Sequence, residues 1–147
     1  MRQAYRILNY LLSLEVVIQA AVIAWYAFGV VKYADDHGSI SHHQLEDGGF
    51  NGHAGAVIHA ANGFMVIPLI ALVLLVVSFR AQVPGGVRLA VITFVLVVVQ
   101  AYVLPALSEK APVVGVLHGA VALAILALSI VSARKAGEPE AAAATAA

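Results

Sequence analysis

The chain has 147 residues, 62% of them apolar and 11% charged, with a mean hydropathy of +0.94. Soluble domains carry about 25% charge, so this composition excludes a soluble globular enzyme and a disordered chain. Lys and Arg balance Asp and Glu at 8 each and cysteine is absent, which excludes a basic nucleic-acid-binding field, disulfides, thiolate catalysis, iron–sulfur clusters and cysteine-ligated zinc. The length fits one domain, and six histidines are the obvious metal chemistry.

In chain order, four stretches are long and apolar enough to cross a ~30 Å hydrocarbon core as helices: residues 5–31, 54–79, 87–107 and 112–133. The first is too long for the apolar core of a cleaved signal peptide and no Ala-x-Ala site follows it, so it is read as a retained helix. Near its middle, Glu15 and Gln19 share a face. A carboxylate there suits a proton carrier or a quinone contact, or else hydrogen-bonds across helices to Gln100, Asn62 or Ser13. The connection that follows holds Asp35, Asp36, Glu46 and Asp47 with His37, His42 and His43. These groups could bind copper, zinc or nickel, but they match no compact tetrahedral spacing, and a solvated, flexible outer loop is expected. Pro68 predicts a kink in the second span, Pro84-Gly85-Gly86 separates it from the third, and Pro105 ends or kinks the third. Trp25, Tyr26, Tyr33 and Tyr102 read as interface or packing aromatics.

Charge sets the orientation. Arg2, Arg6, Arg80, Arg88, Arg134 and Lys135 flank one side and only Lys32 and Lys110 the other, which predicts cytoplasmic termini in the cell membrane. Residues 5–133 are the expected transmembrane domain, and 134–147 an Ala-rich cytoplasmic tail expected to be disordered.

The halves echo each other. Val16-Val17-Ile18-Gln19-Ala20 resembles Val97-Val98-Val99-Gln100-Ala101, and Gly55-Ala56-Val57-Ile58-His59-Ala60 resembles Val114-Gly115-Val116-Leu117-His118-Gly119. Each half then offers a Gln in its outgoing helix and a His in its returning one. The expected fold is an all-α four-helix transmembrane bundle of two parallel pseudo-repeats, helices 1–2 and 3–4, related by an axis along the membrane normal.

Such an axis places His59 and His118 at matched depth, roughly 8–9 Å below the outer surface at 1.5 Å rise per residue. Two neutral imidazoles suit one shared heme iron, and a b-type heme needs no cysteine. Gly55, Gly63, Gly115 and Ala122 lie three or four residues from these histidines, leaving a flat face for a porphyrin edge. Asn62 shares the face of His59, and His53 near the interface suits a propionate, a substitute ligand or a plain headgroup position. Lys32 and Lys110 are the outer cations that could pair with propionates. Two other readings stay open: small residues that let helices approach while each His hydrogen-bonds a neighbour, and another metal or a proton role.

A His in the second helix and a His in the fourth resemble one half-bundle of heme A synthase. The chain also looks like a family of small actinobacterial four-helix membrane proteins of unknown function, through Gln19, His59 or His53, Gln100 and Leu117-His118, over about residues 5–133. The resemblance implies heme held by His59 and His118. Heme A synthase also carries a glutamate beside its second-helix His, whereas Glu46 here lies outside the span, and it uses a second bundle that only a homodimer would supply. Its heme-oxidising activity is therefore not carried over. The expected function is electron transfer by a bis-histidine b-type heme protein in the lipid bilayer, with a quinone or a redox-partner protein as partner and no nucleic acid. The rivals are a non-redox accessory or packing subunit and a metal-binding protein using the His-bearing outer loop.

Overall fold

A computed structural model describes residues 1–138. All regular structure among them is helical: α1 (Arg2–His37), the short α2 (His42–Asp47), α3 (His53–Ser78), α4 (Gly86–Ser108) and α5 (Gly115–Gly137), the last entered through a 3₁₀ turn at Pro112–Val114. The four long helices are apolar enough to cross a membrane, and they mark a membrane protein.

Element ends differ from the sequence expectation in three places. At 36 residues, α1 is about 54 Å long, which exceeds a hydrocarbon core of ~30 Å and keeps Asp35 and Asp36 helical. The expected flexible loop contains α2, started by a capping box in which Ser41 and Gln44 satisfy each other's backbone N–H groups. Helix α5 runs to Gly137, so Arg134–Gly137 are not tail. Arg2 Nε donates to the Ala136 carbonyl at 3.0 Å, and Arg134 and Lys135 lie in the helix's last turn, where cations complement the dipole. The rest of the expected tail, from 139 onward, lies outside the described residues.

Both kinks expected from proline are π turns. Asn62–Val66 precedes Pro68 in α3, and Val99–Val103 precedes Pro105 in α4, each ending two residues before its proline. Proline donates no N–H and its ring collides with the carbonyl four residues back, so the preceding turn widens to i→i+5 bonding rather than breaking.

The chain forms two compact units. Met1–Val16 and the chain from Ile67 make the first, and Val17–Val66 the second. The first holds the main core: Tyr5, Leu12, Ile67, Ala71, Leu74, Ala90, Val97 and Ile125 are buried. In it α3 packs on α4 and α4 on α5. Lipid tails are as apolar as leucine, so helices there associate through close packing and polar contacts. Alanines 71, 90, 133 and 136 are buried accordingly. The Tyr5 hydroxyl donates to the Gly86 carbonyl at 3.1 Å, fixing the start of α1 against the start of α4.

In the second unit α1 and α3 meet almost backbone to backbone. A Cβ on Gly29 would lie 2.0 Å from the Asn51 carbonyl oxygen, and one on Gly55 would lie 2.3 Å from that of Val22. The Trp25 indole donates to Asn51 Oδ1 at 3.1 Å, which ties the loop to the same helix face.

Candidate functional site

His59 sits in α3 one turn before the π turn and is half-buried. Its partner across the second unit is Gln19. Gln19 Nε2 donates to the His59 backbone carbonyl at 3.1 Å, and His59 Nδ1 lies 3.3 Å from the Gln19 backbone carbonyl. A carbonyl only accepts, so Nδ1 is the donor in this contact. The His59 carbonyl also accepts from the Asn62 backbone N–H. The Gln19 carboxamide thus loads the carbonyl ladder at the point where α3 widens.

The glycines flanking His59 meet α1. Gly55 gives room to the Val22 carbonyl and to Tyr26, and a Cβ on Gly63 would lie 3.3 Å from Gln19 Nε2. The flat space expected at these two positions is filled by α1, because the short α1–α3 distance at Gly29 and Gly55 brings its side chains over them. Asn62 is half-buried and opens the π turn.

His118 lies in the first turn of α5, in the first unit, and is half-buried. Around it the glycines are open: a Cβ at Gly115 or Gly119 would meet nothing within 4 Å. Ala122, one turn on, is half-buried. Gln100 falls inside the π turn of α4, and its Oε1, like that of Gln19, is buried without a hydrogen-bond partner. Gln19 and Gln100, the glutamines of the expected repeat, therefore each keep an acceptor oxygen inside the protein.

His53 is taken up by loop packing. Its Nε2 lies 3.1 Å from the Glu46 carbonyl, and its ring meets Phe50 edge-on with centroids 5.9 Å apart. Lys32 is ion-paired with Asp36. The remaining loop histidines pair locally as well. His42 contacts Glu46 at 3.3 Å and His43 contacts Asp47 at 2.9 Å, each one turn apart on α2, while His37 stacks on Tyr33. Among the described residues no three His, Asp or Glu side chains come together to hold a metal ion. The helical periodicity of α2 spreads its histidines and acids into exposed i,i+4 pairs instead of converging them. A groove of about 390 Å³ beside this loop is lined by Lys32, Tyr33, Asp36, His37, Phe50 and Asn51.

Sequence reasoning passed over Asn9, Thr93, Ser129 and Ser132, all fully or almost fully buried in the first unit. Their spacing on buried faces was a usable signal: Tyr5, Asn9, Leu12 and Ser13 keep to one face of α1, and Ile125, Ser129 and Ser132 to one face of α5. Comparison of the chain with protein-family models, with curated proteins and with solved structures finds no match.

Proposed function

We propose that this is an integral protein of the cell membrane, with cytoplasmic termini, in which His59 and His118 would hold one b-type heme, and that the protein serves electron transfer with a quinone or a redox-partner protein. The observation that carries this reading is the contact between Nδ1 of His59 and the Gln19 carbonyl. Metal-binding histidines commonly donate their second ring N–H to a backbone carbonyl, which fixes the tautomer and raises the basicity of the ligating nitrogen. In this reading Gln19 is a positioning residue, and its carboxamide bond to the His59 carbonyl holds the imidazole's helix in register. The parallel pseudo-repeat gives Gln100 and His118 the corresponding parts in the second half. Bound heme would supply a one-electron couple, tuned by burial and by the histidines that hold it. The donor set fits in kind, with two half-buried imidazoles and no thiol. A Cβ at the exposed Gly115 or Gly119 would meet open surface, whereas one at Gly55 or Gly63 would meet α1.

A second reading is favoured by Gly55, whose missing side chain serves the α1–α3 contact. There Gln19 and His59 are interhelical hydrogen-bond partners of a non-redox packing or accessory subunit. Absorption of detergent-purified protein, made with ample heme supply, separates the two. Heme ligation predicts a Soret band that His59→Ala and His118→Ala each abolish. Packing alone predicts a colourless protein that the same substitutions merely destabilise.

A further inference from the structure

Four polar side chains of the first unit are enclosed with an oxygen that lacks a hydrogen-bond partner, Asn9 Oδ1, Thr93 Oγ1, Ser129 Oγ and Ser132 Oγ, and of these Ser132 has the Tyr5 phenol beside it. Asn9 and Ser129 are 0% exposed and Thr93 is 1% exposed. Two contacts at the end carrying the amino terminus set their depth. Arg2 reaches the carbonyl of Ala136, and Tyr5 that of Gly86. From Arg2 to Asn9, from Gly86 to Thr93 and from Ala136 back to Ser129 is the same interval, seven residues. Seven residues are two helical turns, about 10 Å along the axis, so the Arg2–Ala136 contact brings Asn9 and Ser129 to one level, and the Tyr5–Gly86 contact, four residues before Asn9, brings Thr93 within about one turn of it. Asn9 and Ser132 lie beside the Tyr5 phenol, so polar groups continue from this level toward the basic end.

Hydroxyls in apolar helices ordinarily bond back to a carbonyl one turn earlier. Ser13 does so to Asn9, Ser78 to Leu75 and Ser108 to Leu104. Thr93 and Ser129 do not. Asn9 has committed its Nδ2 to the Tyr5 carbonyl at 2.9 Å, so its Oδ1 can only accept. A buried polar atom without a partner costs about 1–3 kcal/mol, and three together call for a shared one. The missing partner must donate to an amide oxygen and accept from two hydroxyls. It must also be neutral, because no charged side chain is buried among the described residues and a bare ion there would be uncompensated.

We propose that Asn9, Thr93 and Ser129 form a buried water-binding site that joins α1, α4 and α5. The water donates to Asn9 Oδ1 and accepts from the Thr93 and Ser129 hydroxyls, the three bonds typical of an internal water. This site is independent of heme.

The test is water-to-protein magnetisation transfer by NMR on full-length protein in nanodiscs, labelled at Asn, Ser and Thr. Transfer from water to the Asn9 carboxamide and to the Thr93 and Ser129 side chains is expected, with the same intensity in sodium and in choline buffer. The volume-conserving T93V/S129A pair is expected to abolish transfer at Asn9. Absence of transfer at all three wild-type residues, while exposed Ser41 shows it, would overturn the proposal; this arm decides the matter even where the double variant does not fold. Signals that shift saturably with sodium would also overturn it, by showing an ion site.

Discussion

The two units of this protein hold together by different means. In the first, α3, α4, α5 and the start of α1 enclose a core of aliphatic and small side chains, with polar atoms sealed inside. In the second, α1 and α3 touch through glycines and through reciprocal hydrogen bonds between Gln19 and His59, and the aromatic rings of Tyr26, Tyr33 and Phe50 gather beside the loop. In lipid, apolar contact alone does not choose a partner helix. Specificity comes from backbone proximity where glycine permits it, and from polar groups that must find each other.

The comparison breaks most sharply at Gly55. Gly55→Leu would drive its side chain into the Val22 backbone carbonyl, and a destabilisation of about 3 kcal/mol is expected in denaturant unfolding of the detergent-solubilised protein. Gly115→Leu enters open space; it should leave stability within about 0.5 kcal/mol yet lower heme occupancy. If both substitutions cost the same, glycine is not a packing device peculiar to the second unit. Next comes Tyr5→Phe in the first unit, which removes the hydroxyl's bond to the Gly86 carbonyl. A loss of about 1–2 kcal/mol is expected, without change in any heme spectrum.

Gln19→Leu tests the second unit more gently. It removes the bond to the His59 carbonyl but keeps the backbone acceptor for Nδ1, so about 1 kcal/mol of stability should go while a Soret band persists with a shifted potential. The smallest effect belongs to α2. His42→Ala and His43→Ala break exposed one-turn pairs, and thermal unfolding should register less than about 0.5 kcal/mol for each. A larger loss would mean that α2 bears on the rest of its unit.

Much of the architecture was legible because its physics is local. Spans follow from runs of apolar residues, and the two irregular turns from Pro68 and Pro105, although a proline signals only that a turn is disturbed and not that it widens to a π turn. The capping box of α2 was also present, as Ser41 followed three residues later by Gln44. Tertiary choices were less legible. Gly55 beside His59 suits a ligand slot or a helix crossing equally, and only the position of Val22 decides that it serves the crossing. Gln19 was visible as a polar outlier, but its partnership with His59 spans 40 residues and leaves no periodic trace. Asn9, Thr93 and Ser129 are ordinary residues for a membrane helix until three helices bring them to neighbouring levels.

The central claim, that His59 and His118 ligate one heme, is tested most directly by the absorption spectrum of the purified wild-type protein beside His59→Ala and His118→Ala. A Soret band is expected in the wild type, and its loss in each variant. A wild type without the band despite ample heme supply, or a band that survives both substitutions, would contradict it.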